Sequence, residues 1–325
     1  MNKKTGILLT NLGTPSAPTP RAVRAYLKEF LSDRRVIDLP RWKWWPILNL
    51  IILNIRPKRS ARNYAKIWTK EGSPLLLESQ ALCQSLRQAQ PDLPIALGMR
   101  YGQPSLTEGL LELRRAGVEE IIVLPLYPQY SATTTATTFE AVIAALKYCP
   151  ALPEIHLIRD YHDHPLYIEA LRHSVEQFWQ KHGRPNKLVL SFHGLPQRYI
   201  NQGDPYLKQC QRTTQLLVEA LQLKTDEYLL TFQSRVGREP WLQPYTDEAL
   251  EQLGQDHTEA VQVICPGFAC DCLETLEEIN LNYREVFLHA GGKSFNYIPC
   301  LNHNGEHVKL LLELVQKRLY TSDHD

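Results

Sequence analysis

A chain of 325 residues, 43% hydrophobic and 22% charged, is too apolar for disorder and long enough for two domains of ordinary size. Its 36 basic and 35 acidic residues leave a net charge of +1, which argues against a nucleic-acid partner. The seven cysteines are scattered and odd in number, which does not suit a disulfide framework and makes reduced thiols the expectation.

The first fifteen residues hold only Gly6-Ile7-Leu8-Leu9 as an apolar run, too short for the core of a secretory signal, so a cytoplasmic protein is expected. Residues 5–12 read as a buried strand, broken at Gly13-Thr14-Pro15. Val23, Tyr26, Leu27, Phe30 and Leu31 then recur at helical spacing, and Ser32-Asp33-Arg34-Arg35 forms a polar turn. Trp42, Trp44 and Trp45 precede an apolar run over 46–55, with Arg41 and Lys43 on one side and Arg56, Lys58 and Arg59 on the other. The run is about half the length of a bilayer span. Tryptophans beside cations suit a membrane interface, and the same composition suits a core helix or a lid over an apolar pocket. A lid or lip is the first reading, surface contact with a membrane the second, and a span the last.

Residues 75–88 read as a helix and 95–99 as a second strand. Ser105 caps a helix over 106–116 that stops at Gly117. Strand 121–126 runs into Tyr127-Pro128-Gln129-Tyr130-Ser131 and a threonine run, followed by a helix to Lys147 and a fourth strand over 155–158. The second half repeats the rhythm: helix 166–181, strand 188–192, helix 206–221, strand 228–232, helix 246–253, strand 261–264, helix 273–287, a strand at Tyr297-Ile298-Pro299 and a last helix over 305–320. Strands alternating with helices imply an α/β fold with parallel sheets covered on both faces. There is an internal echo: 7–15 and 188–196 both end in Gly-x-Pro, 95–116 parallels 229–253, and 127–135 falls opposite 266–275. It predicts two similar α/β domains. The first spans 1–160 and includes the lip at about 36–60. The second spans 161–325, with its last helix packing back. A cleft between them is expected to be lined by strand ends from both.

One histidine stands out. Ser191-Phe192-His193-Gly194-Leu195-Pro196 places an imidazole at the carboxyl end of a buried strand, where open α/β sheets bind ligands. Histidine titrates near neutrality and ligates metals; at a strand end it also serves as a simple cap on nearby backbone. Segment 265–278 likewise follows a strand and opens a helix. Asp271, Glu274, Glu278 and Asn282 recur there at helical spacing and share one face. Asp271-Cys272-Leu273-Glu274 also fits a capping box. The spacing of Cys265, Cys270 and Cys272 matches no strong zinc or iron–sulfur pattern. No Gly-x-Gly-x-x-Gly follows the first strand and no Gly-x-Ser-x-Gly occurs, which argues against a dinucleotide site and an α/β-hydrolase. A histidine with carboxylates suits a borderline divalent metal such as iron(II), and the aromatic stretches suit a large, flat, apolar ligand.

Taken in order, Leu9-Thr10-Asn11-Leu12-Gly13-Thr14-Pro15, Leu124-Pro125-Leu126-Tyr127-Pro128-Gln129-Tyr130-Ser131, the His193 motif, Gly203-Asp204-Pro205-Tyr206, Phe232-Gln233-Ser234-Arg235-Val236-Gly237 and 271–278 resemble the ferrochelatases, enzymes that insert Fe²⁺ into a porphyrin. The resemblance runs to Tyr297-Ile298-Pro299-Cys300, nearly the whole chain. It implies two Rossmann-like domains with the porphyrin between them. It makes His193 and Glu274 the metal-site pair and continues an acidic face through Asp271 and Glu278. It puts Phe268 in the pocket wall, sets Arg34, Arg100, Tyr101, Tyr127 and Trp241 near the macrocycle or its propionates, and turns 42–55 into an active-site lip that faces the membrane. The implied reaction is the last step of haem biosynthesis, protoporphyrin IX and Fe²⁺ giving protohaem with release of two protons. Iron is then a substrate, and no cofactor is held permanently. Coproporphyrin III as substrate is an alternative, as is a non-catalytic porphyrin or haem carrier. Cobalt chelatases share the fold, but their more carboxylated substrates call for a more basic pocket. The chain departs from animal members at Cys272, where they have histidine, and at Asn282, near which they have a carboxylate. Animal members also end in a cysteine-bearing extension that ligates an iron–sulfur cluster; with no cysteine after Cys300, no cluster is expected. The lip makes contact with the inner face of the membrane an expectation, and oligomeric state is not legible.

Overall fold

Apolar runs without alternation make strands that need cover on both faces, and helices between the strands supply it. The computed structural model describes residues 3–237 and 239–322; residue 238 and the outer ends of the expected domains, 1–2 and 323–325, lie outside them. The chain falls into two compact units, one comprising Met1–Leu126, Ser131–Asp160 and Leu311–Asp325, the other Tyr127–Tyr130 and Tyr161–Leu310.

The first unit holds strands β1 (Thr5–Thr14), β2 (Ile95–Gly102), β3 (Glu120–Pro125) and β4 (Glu154–Leu157), all parallel, in the order β2-β1-β3-β4. Leu8, Ala96, Leu110, Ile121, Val123 and Val142 form part of its core, joining three strands to the helices Leu106–Arg115 and Thr137–Ala145. The expected cap is present as a full capping box, Ser105 and Glu108 each accepting from the other's backbone N–H. Gly117 follows that helix with φ +75°, the left-handed conformation that glycine takes without steric cost. Gly13 is fixed for a different reason: with φ +100°, a Cβ there would lie 1.7 Å from the Tyr101 carbonyl oxygen, so nothing larger fits between β1 and β2.

The second unit repeats the plan. Strands β5 (Lys187–His193), β6 (Tyr228–Gln233), β7 (Ala260–Ile264) and β8 (Ser294–Ile298) are parallel in the order β6-β5-β7-β8, strand for strand the order of the first sheet. Val189, Val261, Val263, Leu250, Ile279 and Phe287 belong to one buried cluster beneath the helices that carry the last three. Chain order reverses between β5 and β7, so the carboxyl ends of these two neighbours flank the sheet's switch point, the position where such folds bind ligands.

Two helical stretches differ from the sequence expectation. The helix expected over 273–287 is a π-helix over Glu274–Tyr283 followed by an α-helix over Arg284–His289. The apolar run of the lip is likewise helical: Arg41–Pro46 is α, Ile47–Ile52 is π, and Leu53–Ile67 continues as α well past the end of the apolar pattern. Its continuation is explained by Leu53, Pro57, Ala61 and Tyr64, which keep one buried face at helical spacing. A third π-helix, Ala132–Ala136, falls on the threonine run. Such widened turns are rare and concentrate at functional sites. Among the described residues no helix is long and apolar enough to cross a membrane, which removes the spanning reading of the lip for them.

Candidate functional site

Strand β5 is buried from Leu188 to Phe192 and emerges at His193, which is half-buried. The ladder ends there: His193 pairs with Gln233 of β6, and the Gly194 N–H donates to the Gln233 carbonyl at 2.7 Å. The Gly194 carbonyl is thereby left to accept from the imidazole. His193 Nδ1 lies 2.7 Å from it, and since a carbonyl can only accept, Nδ1 carries a proton; in the neutral imidazole the Nε2 lone pair is then presented for a metal or a proton. The Phe268 ring stands beside His193, with centroids 6.4 Å apart. Trp241 closes over Gly194, where a Cβ would meet its ring at 3.2 Å and the Gln233 carbonyl at 2.8 Å. The Trp241 indole N–H is fixed on the Val236 carbonyl at 2.9 Å.

Gln233 organises the floor of the site. Its Oε1 accepts from Ser191 Oγ at 2.8 Å. Its Nε2 donates to the Glu274 carbonyl at 2.9 Å and lies 3.4 Å from a Glu278 carboxylate oxygen. Ser191 is in turn linked to Thr246, and Thr246 to Thr231, so β5, β6 and helix Thr246–Gln255 share one buried polar chain. The Gln233 amide enters the start of the Glu274 helix from outside its own ladder, the kind of inserted group that widens a helix turn.

That helix brings Glu274 and Glu278 to the carboxyl end of β6, where Gln233 pairs with His193. Glu278 accepts from the Ser234 N–H at 3.0 Å and from the Tyr283 hydroxyl at 2.8 Å, and Ser234 Oγ donates to its second oxygen. Burial pushes its carboxyl above the ordinary glutamate value, against the hydrogen bonds from Ser234 and Tyr283; His193 pulls it down and Glu274 pushes it up. His193 and Glu274 are thus each within electrostatic reach of Glu278. Ser234 holds its place with φ +67°, an uncommon conformation for a residue with a side chain. The Cys272 thiol is pushed well above its usual value by burial first, then by the charge of Glu274 and a hydrogen bond to it.

Asp271 departs from the expected acidic row. It precedes the helix, is buried, and its carboxylate is occupied by Thr275, Tyr297 and Asn302. The capping-box reading is also corrected: the π-helix that starts at Glu274 has no side-chain cap, because Asp271 turns away to these three donors.

The remaining expected residues are placed within their own units. In the first, Arg100 donates through Nε to Thr137 Oγ1 at 2.8 Å, pairs with Asp33, and stacks over the Tyr101 ring at 4.3 Å. Tyr101 is fully buried and its hydroxyl donates to Asp33 at 2.9 Å, so its offer to any ligand passes through Asp33 and Arg100. Arg34 is exposed on the same turn. In the second unit Tyr127 is buried, and the neighbouring Gln129 and Tyr130 are tied to Thr213 and Gln209. Gln233, Ser234, Tyr283, Tyr297 and Asn302 carry the support of the site and had no sequence signal beyond lying in or near the motifs. Among the described residues, one group of three metal-ligand types has its donor atoms all within 4.8 Å: Glu120, Glu154 and His156, at the amino ends of β3 and β4, where Lys3 also pairs with Glu154 at 2.6 Å. With a lysine in place and at the end of the sheet opposite the ligand side, it reads as an ion-pair cluster.

Residues 4–319 match the family model described as ferrochelatase. A ferrochelatase of Pectobacterium atrosepticum is 53% identical over 97% of this chain and 98% of its own length, and one of Vibrio cholerae is 52% identical over the same shares. Among solved structures, SirB from Bacillus subtilis with Fe³⁺ superposes with a TM-score of 0.62 over 98% of this chain and 97% of that one; at 12% identity this shows the fold alone.

Proposed function

The chain belongs to the ferrochelatase family, a metal chelatase of the lyase class with Fe²⁺ and a porphyrin as substrates, and from that premise we propose that His193 and Glu274 carry the insertion. The observation that supports this most is the fixed tautomer of His193. With Nδ1–H committed to Gly194, the neutral form of the imidazole presents Nε2 at the carboxyl end of β5, within electrostatic reach of the Glu278 carboxylate.

Insertion has two physical obstacles. A planar porphyrin hides its nitrogens, and two pyrrole N–H protons must leave. A site that binds a bent macrocycle better than a flat one lowers the first barrier by differential binding. His193 Nε2 accepts a pyrrole proton and exchanges that role with iron ligation, and Glu274 shares the metal or passes the proton to Glu278. Phe268, Tyr127 and Trp241 face the macrocycle. Arg34 and Arg100 meet its carboxylates, with Tyr101 acting behind Arg100. The porphyrin is protoporphyrin IX, supported by a lip whose Trp42, Leu50 and Ile55 are 74%, 73% and 70% exposed. The same face, between clusters of Lys and Arg, rests on the cytoplasmic surface of the membrane. The chemistry runs without an iron–sulfur cluster, in keeping with the spacing of Cys265, Cys270 and Cys272, which matches no strong cluster pattern.

His193→Ala and Glu274→Gln test the pair. Both are expected to lower insertion of Zn²⁺ into porphyrin by about 100-fold or more, while porphyrin binding, read by quenching of its fluorescence, is retained. Near-parental turnover in His193→Ala removes the imidazole from the reaction.

A further inference from the structure

A buried carboxylate needs donors, and the set that Asp271 has recruited is informative. Thr275 Oγ1 donates to Oδ1 at 3.0 Å and the Tyr297 hydroxyl to the same oxygen at 2.6 Å. Asn302 Nδ2 donates to Oδ2 at 2.7 Å. Asn302 also takes something back: its Oδ1 accepts from the Asp271 N–H at 2.8 Å. Its own N–H donates to the Ala269 carbonyl at 2.9 Å, and its carbonyl lies 2.6 Å from His307 Nδ1, which must donate. All four polar groups of one asparagine are therefore committed, three of them to Ala269 and Asp271. It does so at φ +49°, a conformation asparagine tolerates better than most residues. His307 is wholly buried, and burial pulls its pKa down to about 4, so its imidazole is neutral and keeps the Nδ1–H on Asn302.

The gripped turn lies between Phe268, which stands against His193, and Glu274, which opens the π-helix. We propose that Asn302 is a positioning residue of the chelatase site, gripping Ala269 and Asp271 so that Phe268 and Glu274 are correctly aimed, and that Asp271 acts through this grip and not on iron or porphyrin. The inference rests on Glu274 being the metal-site carboxylate. Groups that orient metal ligands typically matter 10- to 100-fold, and the penalty falls on the chemical step when substrate binding is left intact.

A reciprocal swap tests it. Asn302→Asp keeps shape but sets two carboxylates face to face; kcat for Zn²⁺ insertion is expected to fall about 10- to 100-fold, with the porphyrin dissociation constant nearly unchanged. In the double variant Asp271→Asn, Asn302→Asp, the amide now at position 271 donates through its Nδ2 to the carboxylate now at position 302, while its oxygen still accepts from Tyr297 and Thr275. That variant is expected to recover most of the lost kcat. A double variant no better than the single one shows that the Asp271 carboxylate itself is required, and overturns the proposal; so does parental kcat in Asn302→Asp. Asn302→Gly, which suits the left-handed backbone, keeps the backbone bond to Ala269 and deletes the two side-chain bonds to Asp271, carries the same test if Asn302→Asp does not fold: loss of kcat supports the proposal, and parental kcat overturns it. Glu274→Gln is assayed beside them. Its full activity would sink the metal-site reading and the target of the positioning with it, whereas an inactive Glu274→Gln with an unaffected Asn302→Asp sinks the positioning alone.

Discussion

Gln233 donates to the backbone carbonyl of Glu274 at 2.9 Å, joining the end of β6 to the first turn of the helix that carries the site carboxylates. The side chain is 1% exposed, and its other end accepts from Ser191 beside His193. The strand of the imidazole and the helix of the carboxylates are thus held by one amide.

Gln233→Leu keeps the volume and removes both ends. The Ser191 hydroxyl and the Glu274 carbonyl lose a buried partner, at about 1–3 kcal/mol each when left unsatisfied. The expected outcome is a fall of several degrees in the thermal midpoint together with a loss of kcat larger than the loss of porphyrin affinity. A variant equally stable and equally active would show that the amide holds nothing.

Gly194→Ala adds one methyl where the Gln233 carbonyl would be 2.8 Å away and the Trp241 ring 3.2 Å. The carbonyl belongs to the sheet and cannot retreat cheaply. Destabilisation of about 1–3 kcal/mol is expected. Because the Gly194 carbonyl also fixes the imidazole tautomer, the pH dependence of kcat should change as well. Denaturant melts and a pH–rate profile measure the two effects separately.

Asp33 supplies a pH test in the first unit. Burial pushes its carboxyl up, but hydrogen bonds from Thr137, the Arg35 N–H and Tyr101, with the charge of Arg100, outweigh it, and the pKa lies below the ordinary 3.8. A carboxyl held lower in the folded state than in the unfolded one stabilises the protein above the ordinary value, and that stability is lost as pH falls through the folded value. Asp33→Asn should therefore be less stable than the parent at pH 7, by about 2 kcal/mol for a charge-assisted set of this kind. The gap should narrow as the medium is acidified below pH 4. A gap that stays constant with pH would mean that the charge contributes nothing.

The lip can be tested without touching chemistry. Trp42, Leu50 and Ile55 are exposed, and replacing all three with serine leaves the buried Leu48, Leu53, Pro57 and Ala61 in place. Cosedimentation with vesicles containing anionic lipid is expected to fall at least about tenfold, each large apolar side chain being worth about 1.5–3 kcal/mol when taken out of water. Unchanged cosedimentation would overturn the membrane contact of the lip.

Much of this molecule is legible in its letters because the signals are local. Leu188 to Phe192 is apolar without interruption and stops at a histidine and a glycine, so strand, terminus and exposed imidazole follow from a short window. Gly-x-Pro at the ends of β1 and β5 announces the repeat that the two sheet orders display. The π-helix at Glu274 is not legible, since a turn closed five residues back leaves the same apolar residues inward over so short a span. Nor is the fate of Asp271, whose partners Tyr297 and Asn302 lie 26 and 31 residues away and meet it only after β8 has docked beside β7. Spacing could say that Asp271 stood near Glu274 but could not say which way it turned.

The glycine of the Gly-x-Pro echo in each half offers an outlet. In the first, the Gly13 carbonyl accepts a phenol, Tyr26, at 3.2 Å; in the second, the Gly194 carbonyl accepts an imidazole at 2.7 Å. The two glycines hold the same place in the echo, but the rings they meet differ: a phenol keeps its proton across the physiological range, and an imidazole can trade one. The same place in the two halves thus holds a ring that keeps its proton in one and a ring able to exchange its proton in the other.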